Sequence, residues 1–147
     1  MKLKQIGPKI VVGMLATSIL SIGVATPAQA ATWHKGTPKI ARGTWYHNGG
    51  KTNSAYMGYT NSTVAGNSLV YVAKKHAFYR LPAHGYYDVK YKALGHHRYY
   101  LVGTDMFQKR NHETITVTKK HLSGNLYGHF QKFTRRAPGK ILKGYGF

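Results

Sequence analysis

No cysteine occurs anywhere in this chain. That excludes disulfide cross-links, thiolate metal sites, thiol catalysis and redox switching, and a small fold without them must stand on its apolar core alone. Acidic residues are almost as scarce. Asp88, Asp105 and Glu113 stand against 22 lysines and arginines. Hydrolysis by paired carboxylates needs two acids in a defined geometry, and three acids dispersed along the chain give no reason to expect such a pair. No serine occupies a Gly-x-Ser-x-Gly elbow. Helical periodicity is also missing, since no segment supports a helix of two or more turns, and no repeat of fixed period is present. After residue 30 there is no long apolar run.

Before residue 30 there is one. Lys2, Lys4 and Lys9 precede an uncharged stretch from Ile10 to Ala25, and Ala28-Gln29-Ala30 closes the segment with the small-x-small pattern of a signal peptidase site. The apolar stretch is shorter than the roughly 20 residues of a membrane-spanning helix and contains Gly13 and Gly23, with Pro27 just before the cut. Residues 1–30 therefore read as a signal peptide, and the chain as secreted, extracellular or associated with the cell envelope of a Gram-positive bacterium.

Removing that leader and its three lysines leaves 19 basic residues against three acids, a net charge of +16. Such a charge speaks of partners rather than fold. It predicts salt-sensitive attraction to polyanions, with anionic cell-wall polymers such as teichoic acid as the expected partner and no specific nucleic acid. Nine histidines read as surface polar residues. The 12 tyrosines and 17 glycines suit short strands and tight turns, because tyrosine fits a pleated, half-buried surface with a wet polar tip.

Strands are expected at Thr44–Tyr46, Ala55–Thr60, Ser68–Ala73, Ala77–Leu81, Tyr86–Leu94, Arg98–Thr104, Glu113–Lys119 and Leu126–Thr134. His47-Asn48-Gly49-Gly50, Gly95-His96-His97 and Ser123-Gly124-Asn125 are among the turn signals between them. Alternation in Tyr86–Leu94 puts Tyr87, Val89, Tyr91 and Ala93 on one face and Asp88, Lys90 and Lys92 on the other. In Glu113–Lys119 it puts Ile115 and Val117 inward, with Glu113 exposed at the strand's start. About eight antiparallel strands in so short a chain make a closed barrel or a sandwich. The expectation is an all-β fold, a small up-and-down barrel: an arm over residues 31–43, a barrel over 44–135 and a basic tail over 136–147, as a monomer.

Trp33-His34-Lys35-Gly36-Thr37-Pro38-Lys39, followed by Arg42-Gly43-Thr44-Trp45, resembles the opening of a family of uncharacterised small, basic, exported proteins of lactic acid bacteria. The resemblance implies export and a β fold and supplies no activity. Gly43-Thr44-Trp45 is also similar to the Gly-x-Trp of lipocalin-like barrels, and Phe133-Thr134-Arg135 to the aromatic-x-Arg of their last strand. What this second resemblance implies is structural: Gly43, Trp45 and Arg135 (or Arg136 in its place) would close the barrel base by a cation–π contact.

The remaining signal is basic. Lys74, Lys75, Lys90, Lys92, Lys109, Arg110, Lys119, Lys120, Arg135 and Arg136 recur at strand ends and turns, with Tyr71, Phe78, Tyr79, Tyr91, Tyr99, Tyr100 and Phe107 near them. Charge with interleaved aromatics suits polyanions whose sugars or bases can stack. His96-His97 lacks neighbours to complete a metal site. The sequence thus implies no catalytic residue, no cofactor and no metal. It suggests a non-enzymatic polyanion binder, with a small-ligand barrel and a cationic antimicrobial or toxin-like protein as alternatives.

Overall fold

A computed structural model describes residues 32–126 and 129–143; the leader expected at residues 1–30 lies outside them. Ten strands follow in chain order: β1 (His34–Lys35), β2 (Gly43–His47), β3 (Ser54–Tyr59), β4 (Val64–Val72), β5 (Ala77–Arg80), β6 (His84–Gly95), β7 (Arg98–Asp105), β8 (Arg110–Val117), β9 (His121–Leu126) and β10 (His129–Thr134). Two short 3-10 turns, Lys39–Ala41 and Ala73–Lys75, are the only helical elements among the described residues, and no described helix is long and apolar enough to cross a membrane.

Eight strands close on themselves in the order β2-β3-β4-β6-β7-β8-β9-β10, every neighbour antiparallel. The fold is an up-and-down antiparallel barrel, with β1 and β5 as additions. The first half of β4 pairs with β6, from Val64↔Tyr86 to Gly66↔His84, while its second half leaves the barrel and pairs with β5. β1 pairs with β6 further along, at His34↔Tyr91 and Lys35↔Lys90.

Period-two alternation fills the interior. Trp45, Leu101, Ile115, Val117, Leu122 and Phe133 are all essentially inaccessible to solvent, each contributing roughly 1.5–3 kcal/mol by burial. A second, smaller cluster lies on the outside of β2–β4, where the β4–β5 hairpin covers Tyr56 and Leu69 with Phe78. Ile141 bridges Phe78 in parallel, with Phe78 N–H donating to Lys140 O at 2.7 Å and Leu142 N–H to Phe78 O at 2.8 Å. The basic tail is therefore tied to the barrel wall at Ile141.

Three expectations about faces and turns change. Tyr87 points outward. A β-bulge between Tyr87 and Lys90, with Asp88 at φ +51°, inserts one residue and reverses the alternation before it, so Tyr86 turns inward in place of Tyr87 while Val89 keeps its expected face. Gly103 opposite it makes room, because a Cβ there would stand 2.4 Å from the Tyr86 ring. Ser123, Gly124 and Asn125 form no turn: they pair with Lys132, Gln131 and Phe130 as part of β9, a strand the sequence reading lacked, and the expected last strand is β10. Glu113 is buried rather than exposed, for reasons given below.

Candidate functional site

The barrel base is organised around Trp45. Its indole N–H donates to Ala41 O at 2.6 Å, which ties the Lys39–Ala41 turn beneath the barrel. The Arg135 guanidinium lies over the ring, 3.5 Å from its centroid, and donates to Ile40 O (3.2 Å) and Thr44 O (3.4 Å). Gly43 holds φ +102°, and a Cβ there would stand 2.8 Å from Arg135 Nη1. The backbone angle favours glycine, and a side chain there would displace the Arg135 guanidinium from its place. The structure thus brings Gly43, Trp45 and Arg135 together, and Arg135 rather than Arg136 makes the contact. These residues seal the base and present no reactive group.

The other basic residues do not converge. Lys74 and Lys75 occupy the tip of the β4–β5 hairpin, Lys109 and Arg110 the β7–β8 connection, Lys119 and Lys120 the β8–β9 turn, and Arg136 follows β10. All are exposed. The up-and-down path sets the first two groups at one end of the barrel and the last two at the other, so no single patch gathers them.

Lys90 and Lys92 on β6 are different, because the N-terminal arm runs beside them. Two clefts of about 660 and 680 Å3 share Lys35 and Arg42. One also takes in Asn61, Asp88 and Lys90, the other Trp33, His34, Lys39 and Tyr91. The arm is held rigidly. Gly36 N–H donates to Val89 O at 2.6 Å, Thr37 N–H to Asn61 O at 3.1 Å, the Thr37 hydroxyl to Thr60 O, and Arg42 Nη2 to Thr37 O at 3.2 Å. Gly36 at φ +88° approaches Asn61 O so closely that a Cβ would collide at 2.3 Å. Aromatic planes flank the basic groups. His34 stacks on Tyr91 at 5.0 Å, and the Lys92 ammonium sits 5.4 Å from the ring centroids of both Trp33 and Tyr100.

Sequence reasoning missed Trp33, Lys35, Lys39 and Arg42 as site residues. The segment 31–43 has no periodicity and reads as a punctuated arm. Its density of basic and aromatic residues was the available signal.

Glu113 is the other residue misplaced by its sequence reading. It faces the barrel interior in line with Ile115 and Val117, and accepts a hydrogen bond from the Tyr59 hydroxyl at 3.1 Å. Burial pushes its carboxyl above the ordinary carboxylate range, against the opposing effect of the Tyr86 and Tyr59 hydroxyls. Burial, with the Glu113 charge second, raises both tyrosines above the usual phenol value. The Tyr86 hydroxyl couples electrostatically to Glu113, yet has no partner in hydrogen-bonding geometry.

No protein-family model matches the chain, and no curated protein or solved structure matches it either.

Proposed function

We propose that this is a secreted, non-enzymatic protein held at the Gram-positive cell envelope by binding an anionic wall polymer such as teichoic acid, and that the cleft between the N-terminal arm and β6 is where it holds the polymer. One observation carries the reading: Lys35, Lys39, Arg42 and Lys90 border adjoining clefts whose walls include Trp33, His34 and Tyr91. Cations neutralise phosphate or carboxylate charges along the polymer, and the ring planes offer stacking surfaces for its sugars or polyols. The excess of 19 basic residues over three acids that remains after the leader supplies long-range attraction, and the anchored arm supplies a groove in which an extended chain can lie. A binder of this kind needs no nucleophile, cofactor or paired acid.

The test is sedimentation of the purified protein with cell walls before and after teichoic acid removal, across a salt series. Binding should require the polymer and weaken steeply as salt rises, since released counterions drive such association. Lys35→Glu with Lys90→Glu should lower affinity at least tenfold, while Lys74→Glu with Lys75→Glu, at the hairpin tip, should cost only the few-fold change expected from net charge. Equal losses in the two pairs would remove the arm cleft from the reading, and salt-independent retention would remove the polyanion.

A further inference from the structure

The three carboxylates of this basic chain are unevenly placed. Asp88 stands among the cations of the arm cleft. Asp105 and Glu113 line two smaller clefts, each of about 200 Å3, that meet at His84, Gly85 and Tyr86. The inner one passes Met57 and Val64 and ends on Glu113, and the outer one opens beside Met106 and Phe107 and reaches Asp105 and Asn111. Among the described residues neither lining contains a lysine or an arginine, in a chain that has 22.

Two buried polar groups meet at the inner cleft. A carboxyl occupies a position whose neighbours along the strand face are Ile115 and Val117, and desolvating it costs several kcal/mol in order of magnitude unless it is paired. The Tyr86 hydroxyl is also buried: it acts on Glu113 as a hydrogen-bonding neighbour, but among the described residues no partner meets it in full hydrogen-bond geometry. Both residues line the same cleft, the hydroxyl itself being closed to solvent.

The outer cleft adds a prearranged apolar rim. Met106 and Phe107 are 71% and 73% exposed, yet their loop is fixed by Asp105. Its Oδ1 accepts the N–H of Phe107 and of Lys109, each at 2.9 Å, and its Oδ2 accepts Asn111 Nδ2 at 2.8 Å. Lys109 already acts on the Asp105 charge, which leaves Glu113 as the acid without a cation. Aromatic faces and a thioether at the rim attract positively charged and polarisable groups.

We infer that this continuous cleft is a binding site for a small organic cation, with an ammonium group against Glu113, one of its N–H donors given to the Tyr86 hydroxyl, and a short apolar body beside Met106 and Phe107. The two compartments together hold roughly 13 water volumes, at the small end of ligand pockets, so the ligand is a small amine. The general positive charge of the surface does not forbid it, since at physiological ionic strength that field is screened beyond about 8 Å. The site is separate from the arm cleft and stands or falls independently of wall binding.

Glu113 is the only glutamate in the sequence, so carboxyl-labelled glutamate gives a single reporting signal. The protein is titrated with n-butylammonium, butan-1-ol and butyrate at fixed ionic strength while the Glu113 carboxyl and the Phe107 ring are followed by NMR. Saturable shifts of both signals by butylammonium are expected, with butanol at least tenfold weaker and butyrate silent. Tyr86→Phe, which keeps the ring and removes the hydroxyl, should weaken butylammonium several-fold, and Glu113→Gln should abolish the preference for the amine over the alcohol. Equal affinity for amine and alcohol in the unmodified protein, absence of a saturable shift at Glu113, or a preference that survives Glu113→Gln would each overturn the inference. The unmodified protein decides alone if Glu113→Gln does not fold.

Discussion

At the scale of single residues, two side chains set the most measurable properties. Glu113 has a folded-state pKa raised by burial, so the native state binds its proton more tightly than the unfolded chain. Its contribution to stability is therefore greatest below the ordinary glutamate pKa and declines as pH rises through that value to the raised one, with a slope of up to about 1.4 kcal/mol per pH unit. Denaturant midpoints measured between pH 4 and 8 should show this decline, and Glu113→Gln should remove it and raise stability at neutral pH. Trp45 makes the opposite kind of contribution. Trp45→Ala should cost about 3–5 kcal/mol, and Arg135→Ala about 0.5–1 kcal/mol through the lost contact with the indole, both read from urea unfolding. The Trp45 position was legible because the Gly43-Thr44-Trp45 pattern announces it. Counting by twos from Ile115 and Val117 also places Glu113 inward, and its charge argues the other way. Pattern prevails because a carboxyl that can stay neutral and accept from Tyr59 is tolerable inside.

At the scale of elements, clean alternation predicted strands well, and local irregularities spoiled the details. β8 lies within three residues of its expected bounds because it alternates without interruption, and β7 does so although Leu101, Val102 and Gly103 are buried in succession. In β6 the extra residue at Asp88 exchanges Tyr86 for Tyr87, and no composition signal distinguishes a bulge from a regular strand when tyrosine stands at both positions. In β9, Ser123-Gly124-Asn125 has the residues of a turn but pairs in register because Gly124 packs against Ile115. The β6–β7 turn is legible and strained: His96 and His97 both hold positive φ, +49° and +61°, between the paired Gly95 and Arg98. That conformation favours Asn followed by Gly. His96→Asn with His97→Gly should therefore raise stability, by about 0.5–1 kcal/mol, visible as a higher thermal midpoint.

At the scale of the whole molecule, strand number and antiparallel order follow from short alternating segments joined by tight connections. The departure of β4 from the barrel and the docking of the tail on Phe78 do not, because each depends on contacts between distant parts of the chain. Ile141→Ala should cost about 1–2 kcal/mol by uncovering Phe78 and Tyr56, and the loss should appear in hydrogen exchange along β4 and β5 before it appears in the barrel. The arm cleft was illegible for the same reason. Lys35 and Lys90 are far apart in sequence and meet only because β1 pairs with β6.

The seam between β10 and β2 has a temporal meaning. Its single registered pair, Thr134 with Tyr46, joins the last barrel strand to be synthesised to the first. Until the chain has been made through residue 134, the free edge of β2 has no partner, and exposed edges invite pairing with other chains. A nascent chain stalled before His129 would thus carry an open sheet of seven barrel strands, while completion of one short strand converts it to a closed ring. Contacts of such long sequence separation form slowly, so closing this seam is the step in which delay most favours aggregation.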